Sequence, residues 1–262
     1  MRALLGLLLF PLLLGAQQVP VKEHYLSNGM KVLLLERHDA PSISGGWVAR
    51  VGSVNERPGI TGIAHLFEHM MFKGTPKIGT KDYQKDLKII AEQERVRDAM
   101  RLEERKMRAM WRSGEITDLQ DPDQKTDAWK KLNEEFDKLM EEHRKVIVKN
   151  EFDRIYTANG GSRMNAYTSY DHTAYFITVP ANKLELFMWM ESGRLLEPVF
   201  REFYAERDVV FEERRMRTES TPLGKFFESF NSLFWESHPY SWPIIGWPSD
   251  IPAISKKQAD EL

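Results

Sequence analysis

The sequence predicts an α+β fold, because strand patterns and helical patterns occupy separate stretches of one chain. Near the start, residues 23–36 are typical of two strands joined by Asn28-Gly29, a pair that favours tight hairpin turns. Further on, residues 80–152 carry Met and Leu at intervals of three and four among dense Lys, Arg and Glu, which indicates amphipathic helix. With 262 residues, 42% of them hydrophobic, the chain can bury a sizeable core.

The stretch between these two patterns predicts one more strand and one short helix. An apolar run over 43–51 indicates a third strand, and the turn signal Pro58-Gly59 follows it. Residues 60–72 lack proline and are rich in Ala, Leu, Met and Phe, so we expect a largely buried helix with Thr61 as its cap.

Residues 80–152 predict two long helices in a hairpin, with a break around 113–123. The second arm has one apolar stripe, in which His143 is interpreted as a packing residue: Leu132, Phe136, Leu139, Met140, His143, Val146 and Ile147. The first arm offers a matching set: Leu87, Ile90, Met100, Met107 and Met110. We favour a structural insertion over a docking arm for a partner protein.

The remainder of the chain returns to strand and then to helix. Residues 162–179 alternate polar with apolar side chains and predict a long strand or a hairpin. Residues 184–196 and 203–217 predict helices. The Trp- and Pro-rich tail 239–252 is expected to be an extended loop that leads into a helical start at Ser255.

The first residues are typical of a secretory signal peptide. Arg2 precedes an apolar run over 3–14, and small and polar residues follow it. The run is short for a membrane span and Pro11 interrupts it, so we favour a cleaved signal, 1–16, over a retained anchor. The mature chain, 17–262, is then expected to be exported, either to a periplasm or out of the cell, with no stable membrane span after cleavage.

Charge and cysteine content narrow the chemistry. The formal net charge of -2 gives no electrostatic reason to propose nucleic acid as the main partner. The chain has no cysteine, so it has neither a disulfide framework nor a thiolate for metal binding or nucleophilic attack. A metal ion would therefore be held by carboxylates and by some of the seven histidines.

Two histidines and a glutamate lie within five residues of the predicted 60–72 helix, in the order His65-Leu-Phe-Glu68-His69. Residues four apart share one helix face, so both imidazoles can reach a single ion. Glu68 lies close enough to that face for its carboxylate to contact a water beside the ion. An isolated buried histidine is more often a hydrogen-bonded core residue, but the joint pattern favours a metal centre.

A third ligand has to come from another element, and the acidic stretch 202–219 offers Glu206, Glu212 and Glu213. Glu206 and Glu213 lie two turns apart on one helix face, so one can bind metal while the other hydrogen-bonds a ligand histidine. Glu212 points about a quarter-turn away. An equally good interpretation from the residues alone is a solvated charged face shared with Arg207, Arg214 and Arg215.

At these residues the chain resembles the insulinase, pitrilysin and mitochondrial-processing-peptidase family of zinc peptidases, the inverzincins. Segments 52–59, GSVNERPG, and 62–75, GIAHLFEHMMFKGT, resemble the family signature almost throughout. Residues 160–168 with 173–175 resemble its substrate-side strand, and 206–213 its distal ligand helix.

The resemblance implies a role for each residue of the centre. His65, His69 and Glu213 would be the ligands of Zn²⁺. Glu68 would be the general base, and Glu206 would support the ligands from outside the coordination sphere. Taken together, these roles imply a zinc-dependent endopeptidase in which Glu68 activates a zinc-bound water.

The resemblance also implies where the substrate binds and how the sheet is built. Backbone groups around Asn165 and Ala166 would pair with an extended segment of a peptide or unfolded protein, by strand addition. The implied architecture is an antiparallel-rich sheet backed by helices, a processing-peptidase-like half domain over 17–262. The charged helical hairpin, about 84–152, would be an insertion into it.

Two features depart from the family pattern. His69 and Glu213 are further apart in sequence than is usual, and the hairpin accounts for the excess, which is tolerable because loop-closure entropy grows slowly with length. Such peptidases usually close two related halves over the substrate, whereas no second repeat precedes Leu262. We therefore expect either a homologous partner chain that supplies the second half, or a truncated product.

Two alternatives to an active peptidase stay open. One is a non-catalytic peptide-binding or partner subunit of a two-chain peptidase, or an inactive fragment, although such a subunit would be expected to lose Glu68 or a ligand. The other is a scaffold in which His65, His69 and Glu213 hold a closed structural zinc. Three protein ligands with a vacant fourth position favour catalysis over that alternative.

Overall fold

The computed structural model describes residues 19–261, which divide into a unit that ends at residue 41 and a second unit from residue 42 onward. The predicted signal peptide, 1–16, lies outside the described residues.

The first unit contains the predicted hairpin, in which β1 (Lys22–Tyr25) pairs antiparallel with β2 (Lys31–Leu34). The turn has three residues between Leu26 and Met30 instead of the two that Asn-Gly turns favour. Gly29 closes it in the left-handed region, with φ of 86°.

The second unit contains a three-stranded antiparallel sheet of β3 (Ser42–Ala49), β4 (Ser162–Thr168) and β5 (Thr173–Pro180), in the order β3-β5-β4. The predicted third strand is confirmed, and the 162–179 segment is a hairpin rather than one long strand. The register places Ala166 opposite Tyr175, with a bulge earlier in β4. The α+β fold class is therefore confirmed.

The helices of the described residues are α1 (Ile63–Met70), α2 (Tyr83–Ser113), α3 (Asp127–Val146), α4 (Glu151–Ala158), α5 (Leu184–Leu196), α6 (Phe203–Arg214), α7 (Pro222–Phe234) and α8 (Lys256–Asp260). A π-helical turn, Arg215–Glu219, continues α6. Helices α4 and α7 are absent from the sequence prediction. Across residues 19–261, none of the helices has the length and apolar content that crossing a membrane requires.

Helix α1 packs its apolar side into the core of the second unit. Its residues Ile63, Leu66 and Met70 are fully buried and belong to one cluster with Phe203 and Val210 of α6. Because an α-helix repeats every 3.6 residues, burial of this side directs the polar side of α1 toward one defined surface. The cluster also holds α1 and α6 against each other.

The start of α1 differs from the sequence prediction. Gly62, at φ of 90°, precedes the helix, and the Glu56 carboxylate accepts hydrogen bonds from the backbone N–H groups of Gly62 at 2.9 Å and Ala64 at 2.8 Å. Thr61, the predicted cap, instead donates its hydroxyl to Oδ2 of Asp250 at 2.8 Å. A carboxylate at this end of a helix satisfies N–H groups that have no partner within the helix.

The tail after α7 contacts the start of α1 through two glycines. A Cβ atom on Gly62 would lie 2.4 Å from the carbonyl oxygen of Ile245, and one on Gly246 would lie 2.2 Å from that of Thr61. Arg214 donates to the Gly246 carbonyl at 2.9 Å. The two backbones therefore meet at a distance that leaves no room for a side chain at either glycine.

The predicted helical hairpin is confirmed as α2 and α3, and its base is joined to the rest of the unit by buried charges. Nε2 of His143 lies 2.6 Å from Oδ1 of Asp86, and Nε of Arg201 donates to Oδ2 of Asp86 at 2.6 Å. The backbone N–H of Val148 donates to the carbonyl of Gly79 at 3.0 Å. Leu87 is an exception to the predicted packing stripe, because it is exposed.

Candidate metal centre

His65 and His69 lie on the same polar face of α1, and their ring centroids are 4.8 Å apart. Glu68 lies between them in sequence, and the side chains of all three residues are largely removed from solvent. Their burial follows from the packing of α1 on α6. The apolar residues of α1 that contact α6 lie before, between and after these three in the sequence, so close packing of the helices also removes the polar side chains from solvent.

Helix α6 brings a carboxylate to the two imidazoles. Oε2 of Glu213 lies 3.5 Å from Nε2 of His69 and 3.9 Å from Nε2 of His65. One ligand atom from each residue lies within 4.8 Å of the others. The fold thus brings Glu213 to the two histidines, which are far from it in the sequence. Glu212 instead forms an ion pair with Arg215 at 2.9 Å.

The chemistry of these donors fits zinc. Two imidazole nitrogens and one carboxylate oxygen form the nitrogen and oxygen ligand set that Zn²⁺ accepts. Burial, and to a smaller extent the charges of His69 and Arg217, lowers the pKa of His65 to about 3, so its ring is neutral near pH 7 and can donate a lone pair. Nδ1 of His65 is buried and has no hydrogen-bond partner among the described residues.

The orientation of His69 is set by Glu206, one of the sequence-predicted residues. Oε1 of Glu206 lies 3.0 Å from Nδ1 of His69, and Oε2 lies 2.5 Å from Nζ of Lys73. Burial raises the pKa of Glu206, but its hydrogen bonds to His69 and Lys73 outweigh that effect and bring the pKa to about 2. An ionised Glu206 accepts a hydrogen bond from Nδ1–H of His69, and this leaves the lone pair of Nε2 directed toward Glu213.

Glu68 has a partner on the sheet. The hydroxyl of Thr168, at the end of β4, donates to Oε2 of Glu68 at 2.5 Å. Burial raises the pKa of Glu68 above its ordinary value, while the hydrogen bond from Thr168 and the charge of His69 lower it in part. The carboxyl group is therefore held in one orientation and is more basic than an exposed glutamate.

A cavity of about 300 Å³ adjoins Glu68 and His69. One wall comes from α1 and β4, including Asn165 and Ala166, and the other from residues 147–152, which follow the helical hairpin. The hairpin thus leads directly into a wall of the cavity.

Strand β4 is an edge of the three-stranded sheet, so within residues 19–261 one row of its backbone groups is not paired with another strand. Oδ1 of Asn165 accepts a hydrogen bond from the N–H of Ala166 at 2.9 Å. This side chain covers one of the backbone groups to which the resemblance assigns substrate pairing.

Several residues around the centre are absent from the sequence prediction. Thr168, Lys73 and Arg217 contact Glu68, Glu206 and Glu213 respectively. Thr168 and Lys73 lie within segments that resemble the family, but local sequence gives no sign of the residues they contact. Arg217 carries a detectable signal, because an Arg four residues after a Glu on a helix is a favourable ion-pair spacing.

Comparison with known proteins identifies the family of the chain and supports its fold. The family model described as "Insulinase (Peptidase family M16)" matches residues 31–97 and 133–246. "Zinc protease PqqE" of Helicobacter pylori is 31% identical over 232 residues, which is 86% of this chain and 36% of that protein. Residues 98–132, which the family model leaves unmatched, form the outer part of the helical hairpin.

Two solved structures are similar. A protease from Helicobacter pylori superposes with a TM-score of 0.60 at 25% identity, over 92% of this chain and 42% of that one. The periplasmic protease PqqL from Escherichia coli superposes with a TM-score of 0.59 at 18% identity, over 94% of this chain and 20% of that one. This similarity supports the fold. The chain thus spans less than half the length of each of these proteins.

Proposed function

The chain belongs to the insulinase family of peptidases, family M16, and from that premise we propose that it is a zinc-dependent endopeptidase of peptides or unfolded proteins. His65, His69 and Glu213 are the proposed zinc ligands, and Glu68 is the proposed general base. The observation that carries the proposal is the approach of Oε2 of Glu213 to Nε2 of both histidines, at 3.5 and 3.9 Å. Relatives named zinc proteases support it.

Each residue of the centre has a separate proposed role in peptide hydrolysis. When bound, zinc would lower the pKa of a water molecule and polarise the substrate carbonyl. Glu68 takes the proton from the attacking water, aided by the raised pKa that burial gives it, and later returns that proton to the leaving nitrogen. The hydroxyl of Thr168 orients the carboxylate, and Glu206 holds His69 with Nε2 toward Glu213.

The proposed substrate site is the edge of β4 together with the adjoining cavity. An extended chain placed along Asn165 and Ala166 would add a strand to the sheet and bring a peptide bond toward Glu68. One substrate side chain would then enter the cavity. Pairing with the N–H of Ala166 requires the Asn165 side chain to move away from it.

We further propose that the protein acts outside the cytoplasm, in a periplasm or in the medium. The apolar run over residues 3–14 supports export, and the similarity to a periplasmic protease agrees with it. Sequencing the N-terminus of the mature protein from its native host tests this: a start near Gln17 supports processing, and an N-terminus at Met1 contradicts it.

A second candidate is a peptide-binding partner subunit of a two-chain peptidase. Helix α7 favours it, because large apolar side chains along that helix are exposed: Leu223, Phe226, Phe227, Phe230, Leu233 and Phe234. Exposed apolar patches of this kind mark interaction surfaces. A homologous chain that covers α7 would complete the cleft.

Cleavage of an unstructured fluorogenic peptide by the purified, zinc-loaded chain, alone and with a homologue from the same host, separates the two candidates. A chelator should abolish cleavage. Glu68→Gln should retain zinc and lose roughly 10²- to 10⁴-fold in rate, whereas Glu212→Gln, on the solvent side of α6, should retain activity. Full activity in zinc-loaded Glu68→Gln would refute the proposed base, and peptide binding without cleavage in every mixture would favour the binding subunit.

A further inference from the structure

The two oxygens of the Glu213 carboxylate have different partners. Oε2 faces Nε2 of His69 and of His65, at 3.5 and 3.9 Å. Oε1 instead lies 2.6 Å from Nη1 of Arg217, within the range of a charge-assisted hydrogen bond. The carboxylate therefore presents one oxygen to the candidate centre and the other to a guanidinium.

Arg217 reaches Glu213 because of how α6 ends. The helix continues after Arg214 into the π-helical turn Arg215–Glu219, and the backbone N–H of Ser220 closes this turn on the carbonyl of Arg215 at 2.9 Å. Arg217 lies four residues beyond Glu213, and its side chain extends back along the helix toward the carboxylate. Arg215 pairs with Glu212 instead, away from the centre, and so provides a natural control.

A carboxylate can bind a metal ion through one oxygen or through both. If both oxygens of Glu213 bound the same ion, a site that also holds two histidines and a water molecule would be five-coordinate instead of four-coordinate, and the position into which a catalytic zinc site expands during the reaction would be filled. A guanidinium hydrogen-bonded to Oε1 competes directly for that second oxygen.

We propose that Arg217 restricts Glu213 to one-oxygen ligation and thereby keeps a coordination position open. This inference rests on the proposed metal centre, and Arg217 is a positioning residue in it, since it acts through Glu213. Neighbouring carboxylates do not displace it: Glu206 is engaged by His69 and Lys73, and Glu68 by Thr168.

Cobalt substitution reports coordination number directly, because four-coordinate Co²⁺ absorbs visible light more strongly than five-coordinate Co²⁺. The experiment compares the full chain with Arg217→Ala, Arg217→Lys and Arg215→Ala, each loaded with Co²⁺, and measures the affinity of each for Zn²⁺ by competition with a chelator. We expect weaker visible bands in Arg217→Ala, zinc affinity no lower than in the unmodified chain, and bands restored in Arg217→Lys. Arg215→Ala should match the unmodified chain.

Two results would overturn the inference. Unchanged cobalt bands in Arg217→Ala would show that the guanidinium does not control ligation, as expected of an exposed ion pair with little energetic weight. A roughly 10- to 100-fold loss of zinc affinity with unchanged bands would show that Arg217 only orients the ligand. Failure of the metal centre itself is recognised separately, because the Glu213→Ala variant would then retain the spectrum of the unmodified chain.

Discussion

Oε1 of Glu206 lies 3.0 Å from Nδ1 of His69, on the opposite side of the ring from Glu213. We expect Glu206→Gln to lower zinc affinity roughly 10- to 100-fold, because ligand histidines depend on a carboxylate at the second ring nitrogen. Chelator competition measures this. Glu202→Gln is the matched control, since Glu202 approaches the same Lys73 at 4.0 Å, whereas the carboxylate that pairs with Nδ1 of His69 in the described residues is that of Glu206. Equal affinities in the two variants would contradict the role of Glu206.

The hydrogen bond from Thr168 to Glu68 predicts a shift in the pH profile of cleavage. The hydroxyl stabilises the ionised carboxylate, so Thr168→Val should raise the pKa of Glu68 further. A general base works in its ionised form, and the acidic limb of kcat/KM should therefore move to higher pH. Thr168→Ser keeps the hydroxyl and should keep the limb in place. Identical limbs in Val and Ser variants would contradict the prediction.

The pairs of Asp86 with His143 and Arg201 predict a large effect on stability. All three side chains are almost fully buried, and Asp86→Asn removes the negative charge between two basic groups. The free energy of unfolding in urea should fall by about 3–5 kcal/mol, the usual cost of breaking a buried pair. Asp98→Asn, which changes an exposed carboxylate paired with Arg101 on the same helix, should leave the free energy of unfolding close to that of the unmodified chain. Similar losses in both variants would argue against a special role for the buried site.

The burial of Glu56 predicts that the free energy of unfolding falls as pH rises. Burial raises the pKa of Glu56 to about 8. The two hydrogen bonds from backbone N–H groups favour the ionised form and lower the pKa, but burial has the larger effect. Between the unfolded pKa near 4.5 and the folded pKa the native chain binds more protons, so unfolding becomes easier as pH rises through this window. Metal-free Glu56→Gln should lose this dependence. A difference in unfolding free energy between the two proteins that stays constant from pH 5 to 8 would refute the assignment.

Local patterns predicted much of the fold because they depend on near neighbours. The spacing of His65 and His69, the turn at Gly29 and the stripe around His143 are each set by residues within a few positions. Helix α7 has a local signal of the same kind: Thr221 and Pro222 mark a helix start, and large apolar residues recur at intervals of three and four from Leu223 to Phe234.

The partners within the centre could not be predicted in the same way. Thr168 and Glu68 are 100 positions apart, and the choice between Glu206, Glu212 and Glu213 depends on which face of α6 packs on α1. The burial of Val210 selects that face, and burial is a property of the whole fold. From the sequence, only the family resemblance singles out Glu213 among the three as the expected ligand.

The close approach of Gly62 and Gly246 limits what a motif search can detect. A related gene can preserve every letter of His-x-x-Glu-His and still encode a side chain at either glycine, which would push the first turn of α1 away from its neighbour. Such a protein would look intact in an alignment restricted to the motif. Surveys that sort working enzymes from decayed copies should therefore score these two distant glycines alongside the histidines.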